Sequence, residues 1–163
     1  MQIELKPLSA IDPATIVELL THPLVRRHMP LSDTEMTLDE ARAWAAAKDA
    51  QWSEFGYGPW AFVVDGEFVG WGGLQNEGGD ADLGLVLHPD HWGLGMALYD
   101  EIIRRAFGEM NLASVTVLLP LSRTRVKGVL RLGFVPDGEV ELAGERFRRY
   151  RLWNKRLAAA PEA

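Results

Sequence analysis

The run Leu83-Gly84-Leu85-Val86-Leu87-His88-Pro89-Asp90-His91-Trp92-Gly93-Leu94-Gly95-Met96-Ala97 passes from an apolar strand, through a corner marked by Pro89 and two closely spaced glycines, into an amphipathic helix. Glycines let a ligand approach the backbone closely, and the first turn of a helix leaves four N–H groups without intrahelical partners at its positive end. A diphosphate is the natural occupant of such a corner. From Leu94 onward, Leu98, Ile102 and Ala106 recur at steps of four, joined by Ala97, Ile103, Phe107 and Met110, while Asp100, Glu101, Arg104, Arg105 and Glu109 supply the polar residues. Burial of that apolar stripe fixes the anion-facing end in place.

Two familiar phosphate sites are excluded. A Rossmann dinucleotide site needs a third glycine after Gly95 and an acidic residue closing the next strand, and neither is present. A nucleotide-hydrolysing P-loop needs Lys and then Ser or Thr after its last glycine, where this chain has Met96.

With 163 residues, 47% hydrophobic and 25% charged, the chain is long enough to bury a full core, and no repeat or composition shift divides it. One domain is predicted over 1–157, with 158–163 as a disordered tail. The net charge of −6 argues against attachment to nucleic acid or an anionic membrane and suits a small cationic partner. The chain lacks cysteine, which removes disulfides, thiol nucleophiles and thiolate metal sites. The start, Met1 to Lys6, is too short and charged for a signal peptide, and no apolar run reaches membrane-spanning length, so a cytoplasmic location is expected.

Along the chain, Ile3 to Leu8 alternates as a first strand, and Pro13 opens a short helix ending near Thr21. Thr37-Leu38-Asp39-Glu40 is a capping box for a long helix through Ser53, stopped by Gly56. Two strands, Trp60 to Val64 and Glu67 to Trp71, flank Asp65-Gly66, the pair that favours a tight hairpin. After the Gly78-Gly79-Asp80 turn, strand four is Ala81 to Leu87 and strand five is Ala113 to Leu119. Ser122 is placed as the N-cap of a helix to Leu132, Gly133 ends that helix, Phe134 opens strand six, and Phe147 to Trp153 is the last strand. The early hairpins and later crossovers together predict an α+β class with a mixed sheet.

That order, with His91-Trp92-Gly93-Leu94-Gly95-Met96-Ala97 and the later Val129-Leu130-Arg131-Leu132-Gly133-Phe134, resembles the GCN5-related N-acetyltransferase (GNAT) superfamily over nearly the whole chain. The early His22-Pro23-Leu24-Val25-Arg26-Arg27-His28-Met29-Pro30 and the Trp before the glycines look like the branch containing ribosomal-protein alanine N-acetyltransferases. The resemblance implies a single-domain fold with a mostly antiparallel sheet of about seven strands and about four helices, splayed between strands four and five. It implies acetyl-CoA as co-substrate, its pyrophosphate on the amides of Gly93, Leu94, Gly95, Met96 and Ala97, and its pantetheine arm pairing with Leu85, Val86 and Leu87. A freed strand-four N–H then polarises the thioester carbonyl.

Acetylation needs an unprotonated amine, so a carboxylate or ordered water must remove a proton. By resemblance Asp82 is the first candidate base, with Glu77 as a weaker one; the competing reading starts strand four with Asp82 on its solvated side. Many relatives place Asn, then Ser or Tyr, in the following helix, where this chain has Ser122, Arg125 and Val129. The Tyr general acid is therefore missing, and thiolate departure falls to water or Ser122. Arg125 is the one basic residue of that segment assigned to the cofactor's phosphates.

His88, Asp90 and His91 are read as polar turn residues, and no metal site is expected. Trp44, Trp52, Trp60 and Trp71 are read as core anchors, one or two of which, with Phe55 and Tyr57, wall an acceptor pocket. The Arg-rich last strand, Arg146 to Arg151, is either a dimer edge or a charged guard against edge pairing, in a monomer or homodimer. The activity implied is acetyl transfer to a primary amine: a protein N-terminus, an amino acid or peptide, a polyamine or an aminoglycoside. The alternative is a non-catalytic acyl-CoA-binding sensor or scaffold.

Overall fold

The computed structural model describes residues 1–27 and 35–158. His28, Met29 and Pro30 of the early motif, and residues 159–163 of the predicted tail, lie outside the described residues. The chain divides into two compact units, Met1–Gln75 with Gly84–Ile102, and Asn76–Leu83 with Ile103–Ala163.

In the first unit, β1 (Ile3–Lys6) ends sooner than predicted because Pro7 has no N–H to continue the ladder. Leu8–Ala10 instead forms a 3-10 turn, held by the Asp49 carboxylate, which accepts from the amides of Leu8 at 2.8 Å and Ser9 at 3.0 Å. Asp12 caps α1 (Pro13–Thr21) by accepting from the Ala14 amide, with Pro13 at the first helical position as expected. The short α2 (Pro23–Arg26) was not anticipated, since four residues show no periodicity; His22 Nδ1 accepts from the Leu24 amide and starts it. Both halves of the predicted capping box hold α3 (Leu38–Phe55), and Gly56 closes it at φ 79°.

β2 (Pro59–Val64) pairs antiparallel with β1 and with β3 (Glu67–Glu77). Asp65 and Gly66 both have positive φ, 50° and 82°, as the tight hairpin requires. Ala41 and Ala45 let α3 approach a core of Leu8, Ile16, Leu19, Leu20 and Val25. Trp60 and Trp71 are core anchors, 7% and 5% exposed. Trp44 meets Trp71 edge-on at 4.9 Å, and Trp52 donates its indole N–H to the Pro59 carbonyl.

The second unit starts at the β3–β4 turn, where Gly78 and Gly79 take φ 61° and 96°. β4 (Asp80–Leu87) runs parallel to β5 (Ser114–Pro120), registered at Asp82 opposite Thr116. β5 pairs antiparallel with β7 (Glu145–Trp153), which also pairs with β6 (Val135–Leu142). The seven strands follow the hydrogen-bonded order β1-β2-β3-β4-β5-β7-β6, an α+β arrangement with a mixed sheet as expected. Because β7 lies between β5 and β6, its arginines line neither a dimer edge nor a guarded edge. Arg149 and Arg151 serve an internal ion network instead.

α4 (Gly95–Arg104) continues into a wider turn over Arg105–Glu109, and Leu98, Ile102 and Ala106 are fully buried as the periodicity demands. The predicted helix from Ser122 to Leu132 shrinks to α5 (Lys127–Arg131), whose N-cap position is Val126 with no side-chain cap. Ser122 is not that cap: the Arg123 amide donates to the Pro120 carbonyl and closes a turn on which Ser122 rides. Gly133, at φ 99°, ends α5. With α6 (Lys155–Ala158), begun by the Asn154 side chain accepting from the Arg156 amide, the described residues form six α-helices rather than about four. None of these helices is long and apolar enough to cross a membrane.

Candidate active site

The corner before α4 is rigidly made from local hydrogen bonds. Pro89–Leu94 forms a 3-10 segment, kinked at His91, which delivers the chain into α4. His88 begins it, its Nδ1 accepting from the Asp90 amide at 3.2 Å while its own amide donates to the Val69 carbonyl. Trp92 donates its indole N–H to the Leu87 carbonyl at 3.0 Å, leaving the ring 52% exposed.

The two glycines of this corner have no internal reason to lack a side chain. Neither Gly93 nor Gly95 has positive φ; a Cβ on Gly93 would meet nothing within 4 Å, and one on Gly95 would meet only a Leu87 methyl at 4.0 Å. Gly84, exposed in the middle of β4, is equally open. Glycine in a strand or at a helix start costs stability, so bare backbone facing open space points outward, to something that must approach closely. By contrast a Cβ on Gly70 or Gly72 would strike the backbone oxygens of Val86 and Gly84, so those glycines serve packing.

Of the amides assigned to pyrophosphate, that of Gly95 already donates to the Trp92 carbonyl. Its contribution is the missing Cβ rather than a free donor. Leu94, Met96 and Ala97 occupy the 3-10 end and first turn of α4 beside it. Leu85 and Val86 are half-buried and Leu87 is buried on β4.

Asp82 is neither at the strand start nor fully solvated. β4 begins at Asp80, and Asp82 is a half-buried, internal strand residue whose Oδ1 accepts from the Thr116 hydroxyl at 2.9 Å. Burial pushes its carboxyl up from 3.8 to about 7, with Glu77 and Asp80 adding to the rise and the Thr116 hydrogen bond opposing it. A carboxyl poised there takes a proton effectively near neutral pH. Asp80 has a different environment: Arg151 grips it bidentately at 2.9 and 3.1 Å. Arg151 and Arg149 also hold Asp137, whose carboxyl lies below the usual range chiefly through its Arg151 hydrogen bond.

Ser122 and Arg125 are exposed on the irregular segment before α5, where the Arg125 carbonyl accepts from Arg123 Nε. Phe55 and Tyr57 stack on each other at 6.2 Å. His88, Asp90 and His91 keep to their turn, His91 facing Glu67 at 3.6 Å, and among the described residues no cluster of three ligand-type side chains is placed to hold a metal. Thr116 and the Asp80–Arg151 pair were missed from sequence. Partners 34 and 71 positions apart leave no local signal.

Residues 2–130 match the family model described as an acetyltransferase (GNAT) domain. The chain belongs to the GNAT acetyltransferase family, and it is an acyltransferase. No curated protein matches it by sequence. Among solved structures, a GNAT-family acetyltransferase from Bacillus anthracis shares 15% identity at TM-score 0.71, covering 95% of this chain and 96% of that one. An acetyltransferase from Agrobacterium tumefaciens shares 22% at TM-score 0.68, with 92% of this chain and 90% of that one covered. A spermidine N-acetyltransferase chimera from Vibrio cholerae shares 14% at TM-score 0.70, with 98% and 100% covered. At such identities the likeness is one of fold.

Proposed function

We propose that this chain transfers an acetyl group from acetyl-CoA to a primary amine by direct attack within a ternary complex. The supporting observation is the pair Gly93 and Gly95, bare of side chains where nothing in the protein's own packing requires it. Acetyl-CoA supplies the activated acyl group. The protein seats its pyrophosphate at the corner 93–97 and aligns its arm along Leu85, Val86 and Leu87 by backbone pairing.

Asp82 removes the proton from the incoming ammonium, with Thr116 fixing the carboxylate's orientation. The amine nitrogen then forms the new C–N bond as the C–S bond breaks, and the thiolate collects a proton from water, since Val129 stands where relatives carry Tyr. Serine and cysteine nucleophiles have no part in this route. Acceptors within reach of the chemistry are protein N-termini, amino acids or peptides, polyamines and aminoglycosides.

The test is release of free thiol from acetyl-CoA with a panel of amines, followed by mass spectrometry of the products. Acetylated amine with stoichiometric thiol supports the proposal. Val129 in place of Tyr favours a second reading, an acyl-CoA sensor; thermal stabilisation by acetyl-CoA without thiol release from any amine would establish that reading instead.

A further inference from the structure

Within the second unit, Asp82 stands at one end of a cross-strand row. Its register partner on β5 is Thr116, and Thr116 is paired in turn with Arg151 on β7, so the row runs from the proposed base to a largely enclosed guanidinium. Arg151 does not reach back along that row. Its Nη1 donates to Asp80 Oδ1 at 2.9 Å and to Ser114 Oγ at 2.8 Å, its Nη2 to Asp80 Oδ2 at 3.1 Å, and its Nε to Asp137 Oδ2 at 2.8 Å. Each of its three nitrogens is thereby engaged, two of them on the carboxylate two positions before Asp82.

The charges around Asp82 come from four strands. Glu77 ends β3, Asp80 starts β4, β6 brings Asp137, and β7 brings Arg149 and Arg151, while β5 supplies only the hydroxyls of Ser114 and Thr116. Arg149 is committed to Asp137 at 3.0 Å and stands 3.7 Å from Asp80, so the close cation on Asp80 is Arg151. Glu77 and Asp80 both favour the protonated form of Asp82, and whatever neutralises Asp80 limits that effect. Two carboxyls on one strand are thus driven apart: Asp80, gripped by a fork of N–H groups, stays ionised, and Asp82, given one hydroxyl, is the one that exchanges a proton. An enclosed ion pair adds little net stability over apolar residues of the same size, whereas its charges act strongly on a titratable neighbour where water is excluded.

We infer that Arg151 and Asp80 are positioning residues that act as one neutral unit and set the pH at which Asp82 becomes a competent base. The effect on rate rests on the acetyl-transfer reading above; the proton affinity of Asp82 belongs to the resting fold and is measured without substrate. Removing Arg151 alone leaves Asp80 uncompensated beside Asp82 and favours the protonated carboxyl. Removing Asp80 alone leaves Arg151 with donors to spare and favours the carboxylate, and removing both restores the balance. Neither member of the pair gains or loses a proton during the transfer.

The experiment follows the Asp82 carboxyl by carbon-13 NMR titration of the full chain, with Asp82→Asn assigning its resonance. It compares wild type, Asp80→Asn, Arg151→Met, Arg151→Lys and the double variant Asp80→Asn/Arg151→Met, and pH profiles of kcat/KM for thiol release are recorded in parallel. The expected midpoint falls by at least about half a pH unit in Asp80→Asn and rises by as much in Arg151→Met. In the double variant and in Arg151→Lys, which keeps the charge, it returns to within about 0.3 pH unit of wild type. The acid limb of kcat/KM moves with the midpoint, while the plateau above it changes by less than about threefold. Midpoints that stay in place, shifts of the same sign in Asp80→Asn and Arg151→Met, or a lowered plateau with no shift overturn the inference and leave acetyl transfer intact. Should Arg151→Met not fold, the direction of the Asp80→Asn shift decides the outcome. A midpoint that moves as expected while the rate profile does not follow supports the electrostatic pairing and sinks Asp82 as the base.

Discussion

Asp82 and Asp80 sit two positions apart on one face of β4 and have opposite fates, because Arg151 neutralises one while the other receives only a hydroxyl. Asp82→Asn is expected to cut kcat by about 10²-fold or more and to abolish an acid limb near pH 7, measured as a pH–rate profile. Linkage adds a second signature. With its carboxyl raised from 3.8 to about 7, the folded protein binds the proton more tightly than the unfolded chain, so Asp82 lowers stability progressively as pH rises through that interval. The melting temperature of Asp82→Asn should therefore gain on wild type from about pH 4 to pH 7 and then run parallel. Thr116→Val removes the bond that favours the charged form, so the acid limb should move to higher pH while the shape of the buried site is retained.

Two kinds of glycine separate function from packing at the scale of the element. Gly95→Val at the start of α4 meets only a methyl at 4.0 Å, so thermal stability should stay within about 0.5 kcal/mol while calorimetric binding of acetyl-CoA is lost. Gly70→Ala in β3 drives a Cβ into the Val86 carbonyl and should cost about 1–3 kcal/mol by denaturant unfolding. Sequence alone placed Gly95 in the glycine corner at a helix start and gave Gly70 no role beyond its strand. The helix ends were legible because capping is chemistry between near neighbours: Thr37 with Glu40, Asp12 with Ala14, Gly56 at its positive φ. The Ser122 cap failed for a non-local reason, since β5 runs on to Pro120 and the turn that releases it uses the residues a helix would have needed.

For the molecule as a whole, the second unit is tied by a four-residue ion network in which Arg151 joins Asp80 of β4 to Asp137 of β6. Arg151→Met should lower stability by about 1–2 kcal/mol, a modest figure because Asp80 and Asp137 remain partly in water. The loss should shrink as pH falls, since Asp137, held below its usual range by Arg151, contributes stability above its ordinary ionisation range and forfeits it on protonation. Unfolding of wild type and variant at pH 3 and pH 7 measures this. The same strand carries the arginines that the sequence placed at an edge, because strand order is set by which apolar faces bury together, and chain order does not encode it.

Hydrophobic periodicity, turn pairs and caps act over a few residues, so the chain by itself determined the α+β class, the strands and long helices, and the glycine corner at the start of α4. Tertiary structure decided what lies beside what: Thr116 beside Asp82, Arg151 on Asp80, and β7 between two strands. Those pairings join residues tens of positions apart, and their electrostatics arise only once folding has removed the water between them.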